Sequence, residues 1–424
     1  MGRITRRRFI RDGSVAVAVA HATPRFLSDA ASAQVSAQSG GGRNLVVLYL
    51  QGGNDALSTV IPYTDAAYYA RRPNIAVPAT QVLQVGADTA GRAVGLHPRL
   101  TGLRALFTDG RMAIIQRAGY ADSSRSHFEG TDIWGSADPA NSGGLGWLGR
   151  YLDALPTPID PLAAWNTTRE TPRALVARSL GVPAIPDARA YSFASPNGAA
   201  DAVFERQAAL RMASNRAGDR SHLAFVDGTM AGAFGTMDRV GAVADYQGTV
   251  AYPTSALAIS LRTVAGAIAR GVGTRIYWVS TSGFDTHAAQ GNAGAGGYAN
   301  LMTGLNDALV AFTTDLKNQG LLGSTLVLQF SEFSRRITEN GSQGTDHGAA
   351  GVMLAFGAVR GGLYGTAPSL AQVPDNPTLE NDGADVRYET DFRAVYARVL
   401  DSWLGVDSRL ILGDDFRGQG PAFI

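Results

Sequence analysis

Five short runs of apolar residues recur along the chain and predict buried strands. They span residues 44–50, 112–116, 275–280, 325–330 and 352–356. The first run, NLVVLYL, is continuous, rich in β-branched residues and followed by Gly52 and Gly53, which is typical of a strand buried on both faces. We expect the five runs to form one buried sheet.

Between these runs, apolar residues recur with a helical period. One apolar helix face is predicted before Gly320 by residues three and four positions apart: Leu301, Leu305, Leu309, Phe312 and Leu316. Residues 257–269 and 392–404 predict two further amphipathic helices. Strands separated by helices predict an α/β fold, with a mostly parallel central sheet covered by helices on both faces.

The first 33 residues are typical of an export signal. TRRRFIR at residues 5–11 resembles the Ser/Thr-Arg-Arg-x-Phe-Leu-Lys pattern of twin-arginine signals, and a short, weakly apolar stretch follows at 13–22. Small residues at 31–33 offer a cleavage site. We expect the twin-arginine translocon as a partner and a periplasmic or secreted mature chain. A basic amphipathic N-terminal helix is the alternative.

The remaining chain is expected to form one α/β domain over residues 43–424, preceded by a flexible linker at 34–42. A Pro-rich and then Ala-rich stretch at 155–243 predicts a helical insertion or cap. No run of 18 or more apolar residues occurs, so no transmembrane segment is expected in the mature form.

Composition excludes several kinds of chemistry. The 424 residues include no cysteine, which excludes disulfides, thiolate-bound metals and a cysteine nucleophile. Lys317 is the only lysine, and its surroundings suit neither a P-loop nor a pyridoxal Schiff base. Residues 1–33 carry a net charge of +4, so the overall +1 leaves the rest at −3. Nucleic acid is therefore not an expected partner.

Residues with catalytic or metal-binding side chains follow four of the predicted strands. They are Asp55 after the first run, Ser124, Arg125, Ser126 and His127 after the second, Asp285 and His287 after the third, and Glu332, Asp346 and His347 after the fourth. Because ligands collect at the carboxyl ends of parallel strands, we expect these side chains to converge at one sheet edge.

This set of residues predicts a divalent metal site. Carboxylates together with imidazoles suit zinc, manganese or iron, whereas an all-oxygen set would suit magnesium or calcium. The expected ligands are the acidic residues and histidines of three strand ends: Asp55, Asp285, His287, Glu332, Asp346 and His347. Ser126 or Ser124 is the candidate nucleophile, and His127 is a further candidate catalytic residue. Arg125 or Arg335 could neutralise a departing oxyanion.

Several of these residues also have structural interpretations. Asp55 could cap the next helix, and Ser126 could cap a helix that begins with a hydrogen-bonded His127. Glu332 could pair with Arg335 or Arg336 instead of a metal.

The segments GGND, SRSHF, WLGRYL, GFDTH, SEFSR and GTDHG, spread from Asn44 to about Gly365, resemble a family of twin-arginine-exported bacterial proteins catalogued as domain of unknown function 1501. That family is similar to the alkaline phosphatase, sulfatase and phosphomutase superfamily. The resemblance implies an alkaline phosphatase-like fold with metal ligands and a Ser or Thr nucleophile at strand ends.

By this resemblance, Asp285 and His287 match two ligands of one metal, and His347 matches the last histidine ligand. Two positions depart from the superfamily pattern. Gln51 stands where a metal-binding Asp usually ends the first strand, and Glu332 begins a Glu-Phe pair where Asp-His is usual. One metal, or a degenerate site that only binds, is therefore expected instead of a full two-metal site.

These observations favour an exported, metal-dependent hydrolase of phosphate or sulfate esters, acting on a small molecule or a polymer. The alternative is a non-catalytic envelope protein that keeps the fold and binds a glycan, a polymer or a partner protein.

Overall fold

The apolar run at residues 44–50 forms an inner strand of an eight-stranded mixed sheet. The computed structural model describes residues 42–157, 159–214, 221–292 and 294–424. The predicted signal peptide at 1–33 and residues 34–41 of the predicted linker lie outside the described residues.

The strands follow the predicted apolar runs, with several short additions. They are β1 (Asn44–Leu50), β2 (Val60–Ile61), β3 (Leu83–Ala87), β4 (Ala93–Leu96), β5 (Met112–Gly119), β6 (Ala164–Asn166), β7 (Ile276–Thr281), β8 (Thr325–Phe330), β9 (Gly351–Gly357), β10 (Gly362–Tyr364), β11 (Leu379–Glu380), β12 (Asp385–Val386) and β13 (Thr390–Asp391).

The helices include the three that periodicity predicts. They are α1 (Ala56–Thr59), α2 (Ala66–Arg71), α3 (Thr101–Thr108), α4 (His127–Ser136), α5 (Trp147–Asp153), α6 (Ala199–Ser214), α7 (Ser221–Gly241), α8 (Ala256–Ala269), α9 (Gly297–Asn318), α10 (Phe392–Arg398) and α11 (Ser408–Leu412). The helix predicted at 392–404 changes after α10 into a π-helix, Val399–Leu404.

The central sheet has the strand order β10-β5-β9-β8-β1-β7-β6, with β13 also paired to β5. Only β9 runs antiparallel to its neighbours β5 and β8; the other pairs in this sheet are parallel. The predicted α/β class and mostly parallel sheet are thus confirmed. Two smaller antiparallel sheets, β2-β4-β3 and β11-β12, lie outside it.

Both faces of the central sheet are buried, which explains why β1 is continuously apolar. Leu45 and Val47 face a core that includes Trp134 of α4 and Trp147 of α5. The alternate residues of β1 face a second core, formed with α3, α8 and α9. Since successive side chains of a strand point to opposite faces, one apolar run contributes to both cores.

Residues 155–243, predicted as an insertion or cap, contribute β6 to the end of the central sheet beside β7. They continue into α6 and α7, which pack against each other. Among the described residues, no helix is both long and apolar enough to cross a membrane.

Candidate functional site

Four segments at the carboxyl edge of the central sheet carry the predicted site residues. His127 begins α4 after β5, Asp285 and His287 follow β7, and Glu332 follows β8. His347 precedes β9, which enters the sheet from this edge because it runs antiparallel to β8. The structure brings these five side chains together.

One carboxylate oxygen, Asp285 Oδ1, lies at the centre of the cluster. The Nε2 atoms of His287, His347 and His127 lie 3.1, 3.3 and 3.4 Å from it. His287 Nε2 and His347 Nε2 are only 2.8 Å apart. The ligand atoms of His127, Asp285 and His347 all lie within 4.8 Å of one another, so these residues could hold a metal ion.

The other ring nitrogen of each histidine has an acceptor. His127 Nδ1 lies 2.7 Å from Glu332 Oε1, and His287 Nδ1 lies 3.4 Å from Asp346 Oδ1. His347 Nδ1 donates to the carbonyl oxygen of Arg125 at 2.7 Å, since a carbonyl only accepts. Acceptors at Nδ1 favour the tautomer that leaves a lone pair on Nε2, as in carboxylate–histidine–metal sites.

In that tautomer the three Nε2 lone pairs face the same carboxylate, whereas a proton on His347 Nε2 would be donated to Asp285 Oδ1 at 3.3 Å. Two lone pairs 2.8 Å apart repel each other unless a proton or a cation lies between them. A proton shared by His287 and His347 would still leave the buried His127 Nε2 without a hydrogen-bond partner. A metal cation would satisfy all three. Ligand atoms of a tetrahedral zinc lie about 3.3–3.6 Å apart, close to the separations around Asp285.

Arg335 keeps the Asp285 carboxylate ionised. Its buried guanidinium donates to Asp285 Oδ1 at 2.6 Å. Burial raises the pKa of Asp285, but the hydrogen bond and charge of Arg335 outweigh burial and hold the pKa at about 2. The same guanidinium donates to the carbonyl oxygens of Gly53 and Thr345, at 2.7 and 2.9 Å. It thereby joins the loops after β1 and β7 to the segment before β9.

Glu332 orients a histidine of the cluster. Its side chain is fully buried, and Oε1 accepts hydrogen bonds from the Gly52 N–H at 2.9 Å and from His127 Nδ1. It therefore contacts His127 on the side of the ring away from Nε2. Glu332, predicted as a metal ligand, thus contacts His127 from outside the group of Nε2 atoms, and Arg335 pairs with Asp285 instead of with Glu332.

A family model described as "Protein of unknown function (DUF1501)" matches residues 116–413, more than half of the chain. The chain belongs to the DUF1501 family. A search of curated proteins finds no match to this chain. The matched region contains His127, Asp285, His287, Glu332 and His347, and it begins after β1.

The two glycines after β1 allow the loops of this DUF1501 protein to meet. Gly52 has φ +119°, and a Cβ there would lie 2.5 Å from the backbone nitrogen of Asp285. A Cβ on Gly53 would lie 2.3 Å from the ring of Phe333. The GGND segment thus contributes backbone that contacts the loop carrying Asp285 at a distance only glycine permits.

Asp55, predicted as a metal ligand, lies outside the cluster of the DUF1501 protein. It caps α1 by accepting from the Leu57 N–H, and its two oxygens accept from Arg72 at 2.6 and 3.0 Å. Ser58 and Gln290 also donate to it, both at 2.7 Å. Burial raises the pKa of Asp55, but the charge and hydrogen bonds of Arg72 lower it below its ordinary value. The capping interpretation is therefore correct.

Arg125 contributes its backbone to the cluster and directs its side chain elsewhere. The guanidinium pairs with the buried Asp385 and lies 3.5 Å from Glu380. Asp122, Arg125, Glu380 and Asn381 line a cleft of about 490 Å³. The Arg125 guanidinium, predicted to stabilise a departing oxyanion, is instead paired with Asp385 and Glu380.

The two candidate serines of the DUF1501 protein differ in what their hydroxyls do. Ser124 Oγ donates to Glu129 Oε2 at 2.7 Å. Ser126 is exposed at the N-cap position of α4, next to His127, and its hydroxyl makes no capping hydrogen bond. Only the Ser126 hydroxyl is thus left available beside a histidine of the cluster.

Phe333 is a residue of the site that sequence reasoning missed as a contributor. Its buried ring lies against the imidazoles of His127 and His347, with ring centroids 4.8 and 4.7 Å apart. It supplies packing against two rings of the cluster. The Glu-Phe pair after β8 was the available signal.

Proposed function

We propose that this DUF1501 protein is an exported, metal-dependent hydrolase of phosphate or sulfate esters, with one divalent cation held by His127, Asp285 and His347. His287 is the fourth ligand candidate. The observation that carries the proposal is the convergence of imidazole Nε2 atoms on Asp285 Oδ1 while each Nδ1 is held by an acceptor.

The donor set favours zinc, manganese or iron over magnesium or calcium, because three of the four donors are imidazoles. Such a cation, when bound, polarises an ester oxygen and lowers the pKa of a bound water or hydroxyl. The chain supplies the orientation. Glu332 and Asp346 fix two rings, the Arg125 carbonyl fixes the third, and Arg335 keeps Asp285 charged.

Ser126 is the proposed nucleophile, because its hydroxyl is exposed and makes no capping bond while that of Ser124 bonds to Glu129. An alkaline phosphatase-like fold, twin-arginine export and a periplasmic or secreted location belong to the same proposal. Support for them comes from the strand-end position of the site and from the RRRFIR segment.

One observation favours a second candidate, a non-catalytic envelope protein that binds a glycan, a polymer or a partner protein. Arg125 and Arg335, the arginines expected to stabilise a departing oxyanion, both pair with carboxylates. A site without a free guanidinium to stabilise the oxyanion could bind a metal or another ligand and leave esters intact.

Metal analysis combined with an ester panel separates the two. The wild type is expected to contain about one transition metal per chain and to cleave aryl phosphates or aryl sulfates. Asp285→Asn should lose both properties, while Asp160→Asn, which alters a carboxylate paired with Arg239 in another part of the fold, should keep both. Metal without cleavage would favour the binding protein, and a wild type without metal would exclude the proposed centre.

A further inference from the structure

The buried side-chain amide of Gln290 lies between Asp55 and the two loops that carry Asp285 and His347. Gln290 follows the Asp285–His287 segment, and its side chain is fully buried. Its Nε2 donates to Asp55 Oδ2 at 2.7 Å and to Ser58 Oγ at 3.2 Å. Its Oε1 accepts from the hydroxyls of Thr286 and Thr345, both at 2.9 Å. All four hydrogen-bonding positions of the amide are therefore used.

The two threonines are neighbours of the proposed metal ligands. Thr286 lies between Asp285 and His287 in the sequence, and Thr345 lies two residues before His347. The threonines also bond to each other through the backbone, since the Thr345 N–H donates to the Thr286 carbonyl at 3.0 Å. One carbonyl oxygen of Gln290 thus joins the loop after β7 to the segment before β9.

The other end of Gln290 is anchored on a rigid ion pair. Arg72 is fully buried and bonds to both oxygens of Asp55. It also donates to the carbonyl oxygens of Arg336 and Ile337, at 2.9 and 2.8 Å. The ion pair is thereby tied to the segment that follows β8, so it cannot shift without moving that segment.

We infer that Gln290 is a positioning residue for the metal centre, which transmits the fixed position of the Asp55–Arg72 pair to Thr286 and Thr345. This inference rests on the proposed function, because the ligands that it positions are those of the proposed metal. It also gives Asp55 an indirect part in the site. The sequence pattern placed Asp55 among the ligands, and the structure connects it to them through one amide.

The amide has a fixed orientation for this task. If the oxygen and nitrogen of Gln290 were exchanged, its NH₂ would face two hydroxyls and its oxygen would face the Asp55 carboxylate. Two acceptors would then meet without a hydrogen between them. The network therefore selects one rotamer. Contacts made directly to ligand side chains change metal affinity about 10- to 100-fold, and Gln290 acts one residue further out, through Thr286 and Thr345, so a smaller change is expected.

The test compares Gln290→Ala with Asn306→Ala in the full chain. Asn306 is a matched control, because its buried Oδ1 accepts from the Gly102 and Leu103 N–H groups, in contact with α3 and away from the cluster. Zinc or manganese affinity is measured by competition with a chelator. Gln290→Ala should weaken affinity by about three- to tenfold, whereas Asn306→Ala should leave it within about twofold even if it lowers stability equally.

Hydrogen exchange of the metal-free protein gives a second readout. The Thr345 amide should exchange faster in Gln290→Ala than in the wild type, and its exchange rate should be unchanged in Asn306→Ala. If Gln290→Ala does not fold, Thr286→Val and Thr345→Val remove one donor each at nearly constant volume and should show the same two effects.

The outcomes separate the two proposals. Unchanged metal affinity and unchanged Thr345 exchange in the Gln290 or threonine variants would overturn the positioning role while leaving the metal centre intact. A wild type that binds neither metal would overturn the proposed function. In that case the exchange of the Thr345 amide still decides whether Gln290 holds the two loops together.

Discussion

His127 Nδ1 and Glu332 Oε1 lie 2.7 Å apart, although the two residues follow different strands that are not neighbours in the sheet. β9 separates β5, which precedes His127, from β8, which precedes Glu332. The buried carboxylate therefore fixes the ring of a residue 205 positions away in sequence. It leaves Nε2 of that ring directed at Asp285.

Removing this carboxylate should weaken metal binding. In Glu332→Ala, His127 loses the acceptor that fixes its tautomer and orientation, so metal affinity should fall by about 10- to 100-fold. Glu332→Gln keeps an oxygen that can accept from Nδ1 and should lose less. The measurement is a metal competition titration of both variants and the wild type. Equal affinity of the alanine variant and the wild type would contradict the assigned role of Glu332.

Gly52→Ala should destabilise the fold and disturb the centre. The residue has φ +119°, and the new Cβ would lie 2.5 Å from the nitrogen of Asp285, so backbone strain and a steric clash add together. Gly110→Ala is the control, because Gly110 has φ +68° and nothing within 4 Å of a Cβ. We expect about 1–2 kcal/mol for the control, the ordinary left-handed cost, and more for Gly52. Chemical denaturation measures both, and equal losses would show that the close approach to Asp285 is unimportant.

The Asp55–Arg72 pair should give stability a defined pH dependence. Arg72 outweighs burial and lowers the pKa of Asp55 in the folded protein, below its value of about 3.9 in the unfolded chain. Its contribution is therefore present above pH 3.9 or so and is lost as pH falls through the lowered folded-state pKa.

Asp55→Asn leaves the buried Arg72 without a counter-charge and should cost about 3–5 kcal/mol at pH 7. The difference in unfolding free energy between the wild type and this variant should shrink as pH falls below about 4. Denaturant titrations of both proteins at about pH 7, 4 and 3 measure this difference. A difference that stays constant over this range would mean that the charge of Asp55 is not its source.

Bound metal should raise thermal stability. A ligand that binds only the folded state adds about 2.7 kcal/mol when its free concentration is 100 times its dissociation constant. Zinc or manganese should therefore raise the Tm, and a chelator should lower it, in the wild type. His347→Gln should lose most of this response because it removes a ring that faces Asp285. A response of equal size in both proteins would place the stabilising metal elsewhere.

The serines should separate chemistry from metal binding. Ser126→Ala is expected to keep the metal and to lose ester hydrolysis by orders of magnitude, because the attacking hydroxyl is gone. Ser124→Ala is the control, since its hydroxyl bonds to Glu129, and it should retain most activity. Single-turnover assays with an aryl phosphate or sulfate measure both. Full activity of Ser126→Ala would point to a different nucleophile, such as water.

The strands of the central sheet were largely predictable because burial on both faces leaves a continuous apolar run, as in β1. The direction of β9 was not predictable, since a parallel and an antiparallel buried strand have the same apolar pattern. β6 was missed because its three residues, Ala164–Asn166, are too few for a pattern. The helix predicted at 392–404 has the right extent, but its π-helical end has no periodic signature.

The site residues were found by their position after strands, and their individual roles were not. Asp55 and Asp285 both follow a buried strand, yet one meets Arg72 and the other meets imidazoles. His127 was predicted to act in catalysis among the residues that follow the second apolar run, and it lies among the ligand candidates. Which partner a side chain meets depends on loops distant in sequence, and strand spacing carries no information on that.

The position of β9 between β5 and β8 ties the proposed metal centre to the completeness of the sheet. β9 lies between β5 and β8, and the turn that leads into it delivers His347 to the space between the loops of His127 and Glu332. Without this strand the sheet would be divided between β5 and β8, and His127, which follows β5, would not be held against Asp285, which follows β7. Binding of the proposed metal would therefore report that β9 is paired with both of its neighbours, and a chain with β9 displaced would lack the proposed centre.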